Sequence, residues 1–375
     1  MKVGLIINPI AGMGGKVALK GTDGVVEEAI RRGAKPIALD LAKLFLSELS
    51  QYEESKGIKF LTGPKELGEY ALKDFNFSYQ IIRHREIGYR NVLGVRIPDT
   101  TSEDTKTLAK LMADKVDILI FAGGDGTARD IYSVVDKKVP ILGIPTGVKM
   151  FSGVFASSPE DAAKLLIEFL RGDAKIVERE ILDLDENAYR HDEVKAKLYG
   201  IALTPYLEIL VQGSKEPTKV DESEELEALA EAIVEELEDG IYFLGAGSTV
   251  KRIKDKLGIN GTLLGVDIVE IKDRKAKLLI KDAQEKDLLK FIDKNPKIIV
   301  TVIGGVNFLF GRGNQQFSAE VLRYIPKENI IVVAAPSKVE KPIRVYTGDR
   351  EVDKKLQGYI RVRIGAWRER MVKVI

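Results

Sequence analysis

Three stretches of this chain are unbroken apolar runs: "KVGLIIN" (2–8), "ILIFAG" within "VDILIFAG" (116–123), and "VPILGI" (139–144). A strand with one wet face alternates apolar and polar residues, and these do not. They must be buried on both faces, which requires a parallel sheet with helices above and below it. The segments between them supply the helices. "VVEEAIRRG" stops at Gly33, an amphipathic stretch covers about 41–53, another covers 65–74, and "SEDTKTLAKLMADK" is a fourth. "KPIAL", "GIKFLTG" and "YQIIR" read as shorter strands. Ser158-Pro159-Glu160-Asp161 opens a further helix, with Ser158 as N-cap and Pro159 in the first position, and Gly172 ends it. The alternation predicts an α/β fold with a doubly wound, mostly parallel sheet.

From about residue 174 the pattern changes. "KIVEREILDLD" and "KAKLYGIALTP" read as strands, and 221–238 reads as an acidic helix with a solvated face. "GIYFLGAGSTVKRIKDKLGI" reads as strand, glycine turn and helix. A hairpin is expected around Asp273-Arg274, and "KIIVTVIGG", "NIIVVAA" and "YIRVRIG" are later strands. The C-terminal "GAWRERMVKVI" reads as a last strand with Trp367 packed on the fold. The expected organisation is a nucleotide-binding domain over 1–173, a second α/β (α+β) domain over 174–375, and an active-site cleft between them.

Composition removes several function classes. The 375 residues are 45% hydrophobic and 31% charged, so a sizeable core is available and disorder is not expected. Lys+Arg 58 against Asp+Glu 57 leaves no general attraction for nucleic acid. With no cysteine, disulfides, thiol catalysis and cysteine-zinc sites are out, and His84 and His191 alone cannot make a histidine-rich metal site. No apolar run is long enough to span a bilayer, and no signal-peptide pattern is present, so a cytoplasmic protein without a membrane partner is expected. Abundant Lys, Glu, Val and Ile suit a thermophile.

Gly123-Gly124-Asp125-Gly126-Thr127 follows the second apolar run directly. Ligands of open α/β sheets bind beyond the carboxyl ends of the strands, and this is such an end. Glycines let the backbone approach phosphate oxygens, and a helix N-terminus directs N–H groups at an anion. Thr127 reads as the N-cap, with Asp130 as its capping partner. A carboxylate repels phosphate, so Asp125 has a role here if it takes a proton from an attacking hydroxyl or helps hold Mg²⁺. The plainer alternative is a tight strand-to-helix turn with an Asp cap. No Gly-Lys-Ser/Thr follows, so this is not a Walker A loop.

The pentapeptide resembles the signature of the superfamily of NAD kinases, diacylglycerol kinases and sphingosine kinases. "NPIAGMGG" (8–15) is similar to the Asn-Pro-x-x-Gly loop these kinases carry after their first strand, and "GIPTGVKMFSGVFA" (143–156) stands where NAD kinases place a third glycine loop. Three loops in this order are most similar to the ATP-NAD kinase family, in its larger AcoX-like branch. The resemblance covers about the first 170 residues. It implies ATP and Mg²⁺ as cofactors, held by Asn8, Gly12, Gly14, Gly15, Gly123, Gly124, Gly126, Thr127 and Gly147. It also implies Asp125 as the catalytic aspartate, and homo-oligomers as the assembly. Lys149, Lys16 and Lys20 read equally as phosphate partners or as solvated loop lysines, and Asp23 reads as the cap of the next helix.

The second half departs from the family. NAD kinases carry an Asn-Glu pair and a Thr-Pro-Thr-Gly-Ser-Thr-Ala-Tyr stretch that contact the substrate dinucleotide. Here only "LTPYLEI" (203–209) and "GAGSTV" (245–250) approach them. "GAGSTV" is similar instead to the glycine-serine-threonine loop of sugar-phosphate isomerases. As a phosphate cradle it offers Gly245, Gly247, Ser248 and Thr249 at a helix N-terminus, with Asp267 at a strand end behind it; the alternative is an ordinary capped helix. "IGGVNFLFGRGNQQFSAE" (303–320) adds Arg312 and Asn314 as candidate contacts to an anion or a sugar hydroxyl, or is a surface turn before a Ser318-capped helix. The reading is phosphoryl transfer from ATP to a hydroxyl of a small phosphorylated metabolite. NAD is the first-named acceptor and a sugar or nucleoside phosphate the alternative. A nucleotide sensor without turnover, or an isomerase using the Gly245 loop without ATP, are the competing classes.

Overall fold

The computed structural model describes residues 1–19, 25–147, 150–184, 196–207, 223–303 and 307–375. The chain divides into two compact units: Met1–Gly14 with Lys20–Ser214, and Gly15–Leu19 with Lys215–Ile375.

In the first unit, five parallel strands form one sheet: β1 (Lys2–Ile7), β2 (Lys59–Thr62), β3 (Ser78–Ile81), β6 (Ile118–Gly123) and β7 (Ile141–Pro145). Their order across the sheet is β3-β2-β1-β6-β7. A separate antiparallel hairpin, β4 (Tyr89–Val92) and β5 (Val95–Pro98), interrupts the alternation and was not expected from the sequence. The apolar runs are covered on both sides, as their pattern requires. Val3, Leu5 and Ile7 of β1 face a core shared with α2 (Ala38–Leu49) and α6 (Pro159–Arg171). Ile6 of β1, with Leu119 and Phe121 of β6, faces α4 (Ser102–Met112) and α5 (Asp125–Val135).

Local signals set several boundaries. Ser158 accepts from the N–H of Asp161 at 3.0 Å, Pro159 is the first helical residue, and Gly172 ends α6 in the left-handed region at φ 83°. "KPIAL" is not a strand. Its last two residues begin α2, because Ala38 starts the buried series Ala38, Ala42, Phe45, Leu46 and Leu49, which has helical spacing. The helix expected over 65–74 is cut to α3 (Glu69–Leu72), preceded by a 3₁₀ turn over Lys65–Leu67. The long hairpin β8 (Lys175–Leu184) and β9 (Ala196–Tyr206) belongs to the first unit.

The second unit holds, among the described residues, a seven-stranded mixed sheet. Its strands are β10 (Gly240–Leu244), β11 (Asp267–Lys272), β12 (Lys275–Ile280), β13 (Lys297–Thr301), β15 (Ile330–Val333), β17 (Gly358–Arg363) and β18 (Glu369–Val374), in the order β12-β11-β10-β13-β15-β17-β18. The central four, β10, β13, β15 and β17, are parallel. Asp273 and Arg274, at φ 51° and 60°, make the expected hairpin turn between β11 and β12. One face of the sheet is covered by α7 (Ser223–Glu236) and α8 (Ser248–Lys256). The other carries a core that includes Phe310, Phe317, Val321 and Leu356. Trp367 does not pack on the fold. It sits in the turn between β17 and β18, 80% exposed, with only the Arg363 guanidinium over its ring among the described contacts.

Behind α8 lies an ion pair with no solvent exposure on either side chain. Lys254 Nζ is 2.8 Å from Asp267 Oδ2, and it also donates to the carbonyls of Thr262 and Gly265. Breaking such a pair strands a buried charge at a cost of about 3–5 kcal/mol, whereas replacing both partners by apolar groups is often near neutral. Lys254→Met is therefore expected to lower the unfolding free energy by that amount, read as a lower urea midpoint at unchanged slope, and Lys254→Met with Asp267→Leu to recover most of it. An unchanged midpoint in the single variant would show that the pair does not hold this loop.

Candidate active site

In the first unit the chain fills the sheet outward from β1 through β2 to β3, then returns to β6 and continues to β7. The reversal lies between β1 and β6, where open α/β sheets bind ligands beyond the strand carboxyl ends. Asn8 and the Gly123 loop are there, and hydrogen bonds hold them together. The Asn8 N–H donates to the Ala122 carbonyl at 3.0 Å, and Asn8 Nδ2 donates to Thr127 Oγ1 at 3.0 Å. The third loop joins through the Thr146 N–H, which donates to the Gly123 carbonyl at 3.2 Å. Gly12, at φ 80°, lies so close to the Thr146 carbonyl that any side chain there would run into it. Asn8, Gly12, Gly123 and Thr127 thus converge with residues 145–147.

The glycine loop differs from its expected capping. α5 starts at Asp125 with Gly124 as N-cap, and no side chain caps it. Thr127 lies inside the first turn with its hydroxyl accepting from Asn8, so it is not the cap, and Asp130 lies further along the helix. The reason is steric. A Cβ on Gly123 would lie 2.5 Å from the Thr127 side chain, so a bare Gly123 lets the helix begin three residues earlier than a Thr127 cap would have it. Gly124 and Gly126 flank Asp125 and are half-buried, as is Gly147.

Asp125 is 3% exposed. Its two oxygens accept from the main-chain N–H groups of Phe151, at 2.6 Å, and Ser152, at 2.9 Å. Ser152 is fixed in turn: its hydroxyl donates to the Leu182 carbonyl at 2.8 Å and accepts from the Leu182 N–H at 3.0 Å. One turn along α5, Arg129 pairs with Asp183 of β8 at 2.6 Å. Burial pushes the Asp125 carboxyl up from 3.8 to about 7; the Ser152 and Phe151 hydrogen bonds oppose this, and the Asp183 charge adds to it. A carboxyl with that pKa is suited to take up and release a proton near neutrality.

Thr146, Ser152, Arg129 and Asp183 were not singled out from the sequence. Arg129 is four residues from Asp125, and helical spacing alone places both on one face of α5. Ser152 and Asp183 come near Asp125 only through the fold. Gly14 and Gly15 fall on either side of the division between the two units. Lys16 is an exposed partner of Glu285 at 3.1 Å. Lys149, Lys20, Asp23 and His191 lie outside the described residues.

The residues present fit a nucleotide triphosphate. The N-terminus of α5 has no side-chain acceptor, two glycines flank it, and the Thr146 hydroxyl is buried without a hydrogen-bond partner. Among the described residues no group of three or more His, Cys, Asp or Glu is placed to hold a metal ion.

In the second unit, Gly245 and Gly247 lie in the turn between β10 and α8, and Ser248 and Thr249 are the first two residues of α8. Asp267 is fully enclosed. Besides Lys254, it accepts from the N–H and hydroxyl of Thr262 and from the N–H of Asp282. These bonds make it part of the scaffold behind α8. Arg312 and Asn314 are both buried, at 6% and 2% exposure.

Two predictions follow from this geometry. Gly123→Ala is expected to push on Thr127, to destabilise by about 1–3 kcal/mol, and to weaken ATP binding at least tenfold by calorimetry; unchanged ATP affinity would remove this loop from the nucleotide site. The second concerns pH. Because the folded-state pKa of Asp125 is raised, the native protein holds a proton between about pH 4 and 7 that the unfolded chain has released. This contribution to stability is fully present below pH 4 and is lost as pH rises through 7, for a total of up to about 4 kcal/mol. Asp125→Asn is expected to gain stability relative to the parent between pH 5 and 9 in denaturant unfolding; a pH-independent difference would contradict the raised pKa.

Comparison with known proteins identifies the family of the chain. The ATP-NAD kinase N-terminal domain model matches residues 3–174, and the ATP-NAD kinase C-terminal domain model matches residues 237–374. No curated protein matches. Among solved structures, a diacylglycerol kinase from Bacillus anthracis str. Sterne aligns at 17% identity and a TM-score of 0.25, covering 49% of this chain and 46% of that one. A second structure from the same organism, provisionally named a diacylglycerol kinase, aligns at 18% and 0.24, covering 49% and 42%. The chain thus spans less than half the length of either solved structure. With both domain models matched in order over most of its length, the chain belongs to the ATP-NAD kinase family.

Proposed function

We propose that this protein transfers a phosphoryl group from ATP to a hydroxyl of a small phosphorylated metabolite, with Asp125 as the catalytic base. NAD is the first candidate acceptor on family grounds, and a sugar or nucleoside phosphate is the alternative. As the family implies, the working form is a homo-oligomer. The observation that carries the proposal is the placing of Asp125: a buried carboxyl with a pKa of about 7, at the sheet's topological reversal, inside a glycine loop at an uncapped helix N-terminus.

Phosphoryl transfer leaves a protein little covalent chemistry to do; it positions groups and neutralises charge. The main-chain N–H groups of the first turn of α5 bind phosphate oxygens, and the glycines let those oxygens come close. Gly12 and Thr146 fix the first loop against the third, and the Thr146 hydroxyl donates to the nucleotide. Magnesium, when bound with ATP, neutralises phosphate charge. The N–H groups of Phe151 and Ser152 hold the Asp125 carboxylate in one orientation, ready to accept the proton of the attacking hydroxyl. The Arg129–Asp183 pair keeps the next turn of α5 in register with β8.

Asp125→Asn is expected to lower kcat by about 10²–10⁴ while leaving ATP affinity within a few-fold, measured as ADP release and by calorimetry. In the parent, kcat should rise with pH through an apparent pKa near 7. Full turnover in the variant would remove Asp125 as the base. ATP binding with no ADP formed by the parent would point to a sensor.

A further inference from the structure

The loop after β10 repeats, on the second unit, the topological logic of the first. From β10 the chain passes through α8 to one side of the sheet, as β11 and β12, and then returns to β13 on the other side of β10. The parallel neighbours β10 and β13 flank this reversal, and their carboxyl ends are Leu244-Gly245 and Thr301. A crevice at such a point is where an open sheet takes its ligand.

The groups gathered there are donors. α8 has nine residues, no acidic residue in its first turn and no side-chain cap. Its N-cap, Gly247, is held at φ 116° while its N–H donates to the Leu263 carbonyl at 2.7 Å. A side chain at 247 is excluded twice over: by that φ, and by Thr301, whose Cγ2 would be 2.6 Å from an added Cβ. The Thr301 side chain therefore stands directly against the uncapped helix end. Two hydroxyls at this place are buried without a hydrogen-bond partner: Thr249 Oγ1, in a residue with no exposure, and Thr301 Oγ1, in a residue 4% exposed. An unsatisfied buried hydroxyl costs about 1–3 kcal/mol, and two beside an uncapped helix N-terminus indicate a missing acceptor. The nearby acid offers no repulsion, since Asp267 is neutralised by Lys254 behind the helix.

A second loop brings oxygen acceptors. Phe317 reaches to within 3.5 Å of where a Cβ of Gly245 would stand, which brings the end of the 311–317 loop to the glycine turn. In that loop, Asn314 Oδ1 and Gln316 Oε1 are buried without partners, in residues 2% and 5% exposed. Donors at the glycine turn suit a phosphate, and amide oxygens on the adjoining loop suit hydroxyl groups.

We infer that the second unit carries its own binding site for a hydroxyl-bearing phosphate monoester. Its phosphate is held by the main-chain N–H groups at the start of α8 with the hydroxyls of Thr249 and Thr301, and its hydroxyl groups are held by Asn314 and Gln316. The site deepens the kinase reading only in naming its acceptor class; as a binding site it rests on the second unit alone. Thr301 and Gln316 are the members that sequence patterns did not mark.

The test is calorimetric titration of the full chain carrying Asp125→Asn, which removes turnover from the readout, with ribose 5-phosphate, AMP, NAD, inorganic phosphate and free ribose. Ribose 5-phosphate or AMP is expected to bind more tightly than phosphate alone, and free ribose not to bind measurably. Thr249→Val and Thr301→Val, which keep side-chain shape, are each expected to weaken monoester binding at least tenfold and leave ATP affinity unchanged. Thr301→Ser should restore most of the loss. Preference for ribose 5-phosphate over AMP would identify the free sugar phosphate as the source of the monoester, and the reverse a nucleotide. Binding of NAD alone, no binding of any phosphate ester, or binding that both valine variants leave intact would overturn the inference. The last outcome would place the ligand on the first unit's loops. Failure of turnover in the parent would leave these binding results standing, so the two claims fail separately.

Discussion

Much of the first unit is organised around one carboxylate that has been taken out of water. Moving Asp125 into the interior disfavours its charged form by several kcal/mol, and two main-chain N–H groups return only part of that. The balance leaves a group that changes protonation near neutrality. The surrounding sequence serves this balance. Gly123 admits Thr127 and lets α5 begin at Asp125, Asn8 ties Thr127 to the first strand, and Ser152 anchors the N–H donors to β8. Exposing Asp125 would lower its pKa and leave it a weaker base.

The second unit makes the same use of a sheet reversal with opposite chemistry. Its acid, Asp267, is sealed behind α8 and cancelled by Lys254, and what faces the reversal is hydroxyl, amide and main-chain N–H. In one unit a carboxyl is held near its titration point beside an uncapped helix end. In the other, the carboxylate is paired with a lysine behind the helix. Both helices begin without a side-chain cap, which leaves their first N–H groups as donors.

How much of this the sequence shows depends on the range of each interaction. The unbroken apolar runs at 2–8 and 116–123 can be buried only between two helical layers, so the parallel sheet was legible. So were the Ser158-Pro159 helix start and the Asp273-Arg274 turn, which are settled within a few residues. "KPIAL" misled because a short apolar run fits both a strand and the first turn of a helix, and only the continuing series to Leu49 decides. Thr127 misled because its cap-like position ignores Asn8, 119 residues away, which takes its hydroxyl. Trp367 was expected to pack because its ring is large, but the hairpin turn between β17 and the edge strand β18 leaves it exposed. The candidate loops announce themselves in the sequence through their glycines, at 8–15, 123–127 and 245–249. Ser152, Asp183 and Thr301 carry no local signal, since they become relevant only when strands distant in sequence lie side by side.

A base at Asp125 requires chemical turnover at the Gly123 loop. The direct measurement is ADP release from ATP and Mg²⁺ by the purified full chain, with NAD and then with a panel of sugar and nucleoside phosphates, and with ³¹P NMR to identify the phosphorylated product. Stoichiometric ADP and a new phosphate ester are expected with one of these acceptors. ATP binding without ADP from any of them would rule out phosphoryl transfer by this loop.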